Sequence, residues 1–145
     1  MDGTGPLHML ADPTEWIAAV EATANPDTVP EGRVQATQFL CVRERDGKLV
    51  GMIDVRHRLN DYLRNYGGSI GYSVRPGERR KGYATRMLRL ALLYCREIGL
   101  DRALVTCHVD NPGSRSAIRN NGGVHESTVF DPEDGKDLER YWIEL

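Results

Sequence analysis

Apolar residues recur every three or four positions between residues 81 and 98, and this period predicts the longest helix of the chain. The apolar stripe contains Ala84, Met87, Leu88, Ala91, Tyr94, Cys95 and Ile98. Arg86, Arg89 and Arg96 fall elsewhere on the helical wheel, and Gly99 is suited to cap the C-terminus. Such a stripe is typical of core packing, so we assign it to the core rather than to a ligand.

Two shorter helices are predicted from their end signals. The first covers residues 12–24, with Asp12 as the N-cap and Pro13 in the first turn. Its apolar face contains Trp16, Ile17, Val20 and Ala24. The second helix opens at Asn111 and ends near Gly122, where the sequence again favours a turn.

Six segments rich in β-branched and apolar residues predict strands. They cover residues 37–44, 49–55, 69–74, 103–109, 124–130 and 138–145. Asp46-Gly47 and the later Asp-Gly pair at residues 134–135 are hairpin signals, which make antiparallel partners of the segments on either side. Residues 58–68 are expected to form a loop or a helical turn.

The order of these elements predicts an α/β fold, in which a mixed, mostly antiparallel central sheet is flanked by helices. A chain of 145 residues is expected to form a single domain over residues 1–145. No clear first strand precedes Thr37, and residues 7–10 are the remnant of one at most. We therefore expect a short or abbreviated N-terminal part.

Composition and charge narrow the range of partners. The chain is 40% hydrophobic and 28% charged, and its net charge of −2 argues against a surface built for nucleic acid or anionic lipid. Three cysteines without a Cys-x-x-Cys pair favour a reducing compartment, and no metal-ligand spacing is present. Because neither a signal peptide nor a membrane-spanning run is found, we expect a cytoplasmic protein without metal, membrane or nucleic-acid partners.

The strongest chemical signal lies where the third strand leads into the long helix. A helix N-terminus offers unpaired N–H groups and the positive end of the helix dipole, so it favours anions. Gly82 allows a close backbone approach, while Arg79, Arg80 and Lys81 add positive charge beside it. The pattern predicts a diphosphate cradle. It is neither a nucleotide P-loop nor a Rossmann glycine motif, since the glycine spacing of both is missing.

The spacing Arg79-x-x-Gly82-x-Ala84 resembles the Arg/Gln-x-x-Gly-x-Gly/Ala motif of the GNAT family of N-acetyltransferases. The resemblance covers roughly the last hundred residues. The run from Ile70 to Pro76, with residues 56–62 upstream, is also similar to a subgroup known mainly as predicted acetyltransferases.

This resemblance implies acetyl-CoA as cofactor, bound in a V-shaped slot between the strands around residues 69–74 and 103–109. In the family the motif loop binds the pyrophosphate of coenzyme A, and the preceding strand pairs with the pantetheine arm. The implied cofactor-binding residues are Tyr72, Ser73, Val74, Arg79, Arg80, Lys81, Gly82, Tyr83, Ala84, Thr85, Asn111 and Ser114. The resemblance also implies a homodimer, because many relatives pair through their C-terminal strands.

The implied reaction is attack of an amine on the acetyl thioester, which needs a base and an acid. Many relatives carry a tyrosine as the acid where this chain has Ile118, so the usual acid is absent. His108 is the candidate base, or alternatively a histidine hydrogen-bonded at a strand end. Tyr72 is the candidate acid, or alternatively a packing residue. Asp54 and Glu126 are weaker candidates for the base.

Substrate recognition is assigned to Arg56, His57 and Arg58, which follow the second predicted strand. A basic cluster of this kind recognises a carboxylate or phosphate on the acceptor, although a solvated basic turn explains it equally well. The leading hypothesis is an N-acetyltransferase acting on a small-molecule amine. The alternative is a non-catalytic CoA-binding sensor or interaction module, which the Ile118 departure favours. A nucleic-acid-binding domain is disfavoured by the net charge.

Overall fold

The computed structural model describes residues 3, 4, 7 and 9–145, and helices and strands account for most of this part of the chain. The helices are α1 (Pro13–Ala24), α2 (Tyr83–Glu97) and α3 (Pro112–Asn120). The strands are β1 (Ala36–Arg43), β2 (Lys48–Arg56), β3 (Ile70–Val74), β4 (Arg102–His108), β5 (Val124–Asp131) and β6 (Lys136–Glu144). The helical turn expected within residues 58–68 is present as a short π-helix, Leu63–Gly67, and a 3₁₀ turn covers Pro76–Glu78.

The strands form two three-stranded sheets, ordered β1-β2-β3 and β4-β6-β5, and every pairing within them is antiparallel. Both predicted hairpins are present. In the second sheet β6 lies between β4 and β5, so that Thr106 of β4 faces Arg140 of β6. The predicted α/β class, with antiparallel strands flanked by helices, is therefore confirmed.

The two sheets meet at one end of β3 and β4 and separate at the other. The N–H of Ser69 donates to the carbonyl oxygen of Leu104 at 2.6 Å, and the N–H of Leu104 donates to Ser69 Oγ at 3.0 Å. Gly68 permits this approach, because a Cβ there would lie 2.7 Å from the Leu104 carbonyl oxygen. At the far ends, Val74 and His108 line an open groove. This V-shaped slot agrees with the expectation from the sequence.

Helix α2 packs against both sheets and supplies much of the core, as its apolar period predicts. Its buried residues are Met87, Leu88, Ala91, Leu92 and Cys95. They contact buried side chains from both sheets, among them Val55, Ile70 and Val105. Burying each of the larger side chains, Met87, Leu88 and Leu92, contributes roughly 1.5–3 kcal/mol. The core therefore holds the N-terminus of α2 beside the slot.

Helix α1 begins as predicted, since Asp12 Oδ1 accepts a hydrogen bond of 2.8 Å from the N–H of Thr14. Its apolar face is narrower than expected. Trp16 is buried and its Nε1 donates to the Thr4 carbonyl oxygen at 2.6 Å, whereas Ile17 is 49% exposed. The helix covers the sheet mainly through Trp16, so Ile17 lies outside the contact.

The remnant strand expected at residues 7–10 is not found. Leu7 and Met9 adopt 3₁₀ geometry and Leu10 has no regular structure, while His8 lies outside the described residues. None of the helices within the described part is long and apolar enough to cross a membrane. Cys41, Cys95 and Cys107 are all free thiols.

Candidate active site

The slot between β3 and β4 opens into a groove of about 810 Å³. Its walls are β3 on one side and the end of β4 with the start of α3 on the other, and the N-terminus of α2 lies at its base. Most residues that the resemblance assigns to the cofactor line this groove: Tyr72, Ser73, Val74, Arg79, Arg80, Gly82, Tyr83, Ala84, Thr85, Asn111 and Ser114. Lys81 does not line it. The structure thus brings together residues from three separate elements.

The N-terminus of α2 is left open toward the groove. Gly82 occupies the N-cap position with φ of 81°, and no side chain caps the helix. The hydrogen bond from the N–H of Arg86 to the Gly82 carbonyl oxygen starts the helical ladder, so the N–H groups of the first turn have no acceptor within the helix. A Cβ placed on Gly82 would have nothing within 4 Å. This arrangement fits a diphosphate.

The three cationic side chains of the basic loop before α2 point in different directions. Arg79 Nε donates to the Val74 carbonyl oxygen at 3.1 Å. Arg80 has φ of 64°, a left-handed conformation that is unusual for a residue with a side chain. Lys81 turns away, since its Nζ lies 2.8 Å from Glu78 Oε2 and donates to the Gly77 carbonyl oxygen at 3.4 Å. Two arginines therefore face the groove and the lysine does not.

Glu78 was missed by the sequence reasoning. Its side chain is buried and lies within 2.9 Å of the cationic groups of Arg43, Lys48 and Lys81. Hydrogen bonds from Lys48 and Lys81 lower the pKa of Glu78 to about 2. The one available signal was an acidic residue directly before a basic run, and that alone does not distinguish a buried carboxylate from a solvated one.

The candidate catalytic residues both line the groove. His108 Nε2 lies 2.6 Å from Oδ2 of Asp134, which belongs to the turn between β5 and β6. The hydroxyl oxygens of Tyr72 and Ser114 lie 2.6 Å apart, on opposite walls. Asp134 was missed because only the pairing of β4 with β6 brings that turn beside His108. The groove is therefore lined by a tyrosine and by a histidine whose ring contacts a carboxylate.

Helix α3 contributes its N-terminus to the groove and its apolar side to the core. Asn111 caps the helix, since its Oδ1 accepts a hydrogen bond of 3.0 Å from the N–H of Ser114. Ile118 is fully buried in the core. The position that carries a tyrosine in many relatives thus provides no hydroxyl here. The Tyr72 hydroxyl reaches α3 from β3 instead.

The structure does not bring the three predicted substrate residues together. Arg56 lines a second cavity, of about 380 Å³, and its Nε lies 2.6 Å from Asp54 Oδ2. His57 Nε2 lies 2.8 Å from Thr37 Oγ1, and partial burial lowers the His57 pKa. Arg58 is exposed and lines neither cavity.

The weaker base candidates lie outside the groove. Asp54 forms an ion pair with Arg56. Glu126 accepts a hydrogen bond from Trp142 and forms an ion pair with Arg140. Within the part of the chain that the structure describes, no three His, Cys, Asp or Glu side chains are grouped so as to hold a metal ion.

Residues 6–124 match the profile of the acetyltransferase (GNAT) domain, which is most of the chain. The chain belongs to the GNAT acetyltransferase family. None of the curated proteins matches the sequence. Members of the GNAT family use acetyl-CoA as acetyl donor, and the uncapped helix N-terminus beside two arginines fits its diphosphate.

Solved structures of GNAT proteins share this fold. Spermidine N-acetyltransferase SpeG from Vibrio cholerae is 20% identical with a TM-score of 0.59, and the match covers 75% of this chain and 65% of that one. A probable acetyltransferase is 25% identical with a TM-score of 0.61, covering 75% and 62%. Ribosomal-protein-S5-alanine acetyltransferase from Vibrio fischeri is 16% identical with a TM-score of 0.62, covering 75% and 61%. The match thus spans less than two thirds of each of these proteins.

Proposed function

We propose that this GNAT protein transfers an acetyl group from acetyl-CoA to the amine of a small molecule. The observation that carries the proposal is the open first turn of α2 at Gly82, which faces a groove between two diverging strands. An open helix N-terminus at the base of such a groove binds the phosphates of an extended cofactor, and the diverging strands leave room for its arm.

The residues that hold acetyl-CoA come from three elements. N–H groups of residues 82–85, with Arg79 and Arg80, hold the diphosphate. Strand β3 lies at the edge of its sheet, and the pantetheine arm runs along Tyr72, Ser73 and Val74. Bound acetyl-CoA supplies an acetyl group activated as a thioester.

Two side-chain pairs carry out the proton transfers of this reaction. Asp134 orients the His108 ring through Nε2, and the other ring nitrogen accepts a proton from the acceptor ammonium. The Tyr72 hydroxyl, positioned by Ser114, donates a proton to the leaving sulfur. Tyr72 thereby replaces the acid that the buried Ile118 does not provide.

We propose a small molecule as acceptor, since a net charge of −2 gives no reason to expect nucleic acid. The second cavity, at about 380 Å³, has the size of a small-molecule site. The same proposal includes a single domain, a homodimer paired through its C-terminal strands, and a cytoplasmic location consistent with three free thiols.

The test is calorimetric titration of the protein with acetyl-CoA, using ATP and NAD as control ligands. Gly82→Trp fills the open cradle and should abolish binding. Gly99→Trp is the matched control: Gly99 also has positive φ and open space around it, but it lies at the opposite end of α2. It reproduces the backbone strain and should leave binding intact. Unchanged affinity in Gly82→Trp would rule out this site.

A CoA-binding module without catalysis is the second candidate, and the burial of Ile118 favours it. The two candidates differ in turnover. We expect release of the CoA thiol with at least one member of a panel of primary amines, including polyamines and amino acid derivatives. Tight acetyl-CoA binding without thiol release for every member of the panel would favour the binding module.

A further inference from the structure

A buried glutamate lies directly before the cofactor loop. Glu78 is 3% exposed and ends the 3₁₀ turn Pro76–Glu78. Its Oε1 lies 2.6 Å from Lys48 Nζ, and its Oε2 lies 2.9 Å from an Arg43 guanidinium nitrogen and 2.8 Å from Lys81 Nζ. A buried charge is retained only when it is paired, so these contacts hold Glu78 in one position.

Two of the three cations around Glu78, Arg43 and Lys48, are distant from it in the sequence. Arg43 ends β1 and Lys48 begins β2, so both lie on the hairpin opposite the loop. Arg43 also donates a hydrogen bond of 3.3 Å to the hydroxyl of Tyr83, the first residue of α2. Residues of the hairpin therefore contact the chain at both ends of the cofactor loop, at Glu78 and at Tyr83.

Glu78 also holds one cation of the loop away from the groove. Its contact with Lys81 draws that side chain away, whereas Arg79 and Arg80 line the groove. Both carboxylate oxygens are already bound by cations of the protein itself. The negative charge next to a site for phosphates is therefore neutralised locally.

We propose that Glu78 is a positioning residue for the phosphate end of the acetyl-CoA site, holding residues 79–82 in the shape that leaves the first turn of α2 open. This inference rests on the proposed function. The inference also predicts the direction in which the affinity for acetyl-CoA changes when Glu78 is replaced. Removing a negative charge near an anion site strengthens anion binding by electrostatics alone, whereas loss of the loop geometry weakens it. Weaker binding is therefore the expected result.

The experiment compares Glu78→Gln with Glu44→Gln, using calorimetric titration with acetyl-CoA and hydrogen exchange without ligand. Glu44 is the matched control because it is an exposed carboxylate in the same hairpin. Glu78→Gln should weaken acetyl-CoA binding about tenfold or more and speed amide exchange over residues 76–86. Glu44→Gln should change neither.

A surface pair of variants covers the case in which Glu78→Gln does not fold. Lys48→Gln removes one of the three cations at a side chain that is 41% exposed, while Arg45→Gln removes an equal charge from the same hairpin. Lys48→Gln should weaken binding more than Arg45→Gln. Equal effects of these two, or unchanged or tighter binding in folded Glu78→Gln, would overturn the role of Glu78. Absence of binding in the unaltered protein would instead overturn the proposed function, and this inference with it.

Discussion

The N–H of Ser69 donates to the carbonyl oxygen of Leu104 across 2.6 Å, and the Ser69 hydroxyl accepts the N–H of Leu104 in return. This reciprocal pair joins the two strands at the end opposite Val74 and His108, which line the groove. Both residues are buried, so neither backbone group can turn to water. One of the two hydrogen bonds that join β3 to β4 at this end therefore depends on the Ser69 hydroxyl.

Ser69→Ala should destabilise the protein by about 1–3 kcal/mol, because the buried N–H of Leu104 loses its acceptor. Urea unfolding measures the loss. Ser116→Ala is the control, since Ser116 is exposed on α3 and its replacement should stay within about 0.5 kcal/mol. A loss in Ser69→Ala no larger than in the control would mean that the serine hydroxyl does not hold the slot closed.

Arg80→Gly should raise stability and weaken acetyl-CoA binding at the same time. A left-handed residue with a side chain costs about 1–2 kcal/mol, which glycine avoids. Losing a cation that pairs with phosphate costs about 1.5–3 kcal/mol of binding free energy, or roughly tenfold or more in affinity. Thermal melting and calorimetry measure the two effects. Arg80→Lys keeps both the charge and the strain, and should change each less. Parallel loss of stability and affinity in Arg80→Gly would contradict this account.

Asp134→Asn should lower kcat about tenfold and His108→Gln about a hundredfold if His108 is the base that Asp134 orients. The KM for acetyl-CoA should stay unchanged, because neither residue belongs to the loop before α2. Steady-state thiol release with an active amine measures both constants. Glu133→Gln, in the same turn, is the control. Full activity in His108→Gln would show that the His108–Asp134 pair serves structure only.

Acid should destabilise the protein through Glu78. Its pKa falls from an ordinary 4.5 to about 2 in the fold, so between these values the unfolded chain binds more protons than the folded one. The stability that Glu78 contributes is present above pH 4.5 and is lost as the pH falls toward 2. The urea midpoint measured from pH 6 to pH 3 should therefore decline less steeply in Glu78→Gln than in the unaltered protein. Equal slopes would contradict the ionic role of Glu78.

Local patterns carried the prediction of the helices, the hairpins and the phosphate loop. The apolar residues of α2 recur every three or four positions and directly follow Gly82. Both signals are local in the sequence, so no tertiary contact is needed to recognise them. Asp12 and Asn111 were likewise recognisable, because Asp and Asn are preferred residue types at the start of a helix.

Contacts between distant residues were not predictable in this way. Glu78 meets Arg43 across 35 positions, and only the register of β1 on β2 brings Arg43 and Lys48 to the same place. Likewise, Leu138 faces His108, and this pairing carries the turn with Asp134 to the groove. The residues missed by sequence reasoning are those whose roles arise from strand pairing.

The strand order β4-β6-β5 has a consequence for biosynthesis. β6 is the middle strand of its sheet, yet it leaves the ribosome after both of its neighbours. Until then β4 has no partner within its sheet, although the first sheet and α2 are already complete. The wall of the groove that carries His108 is thus the last to form. Before β6 is synthesised, the backbone groups of β4 that will pair with it are exposed to chaperones or to other nascent chains.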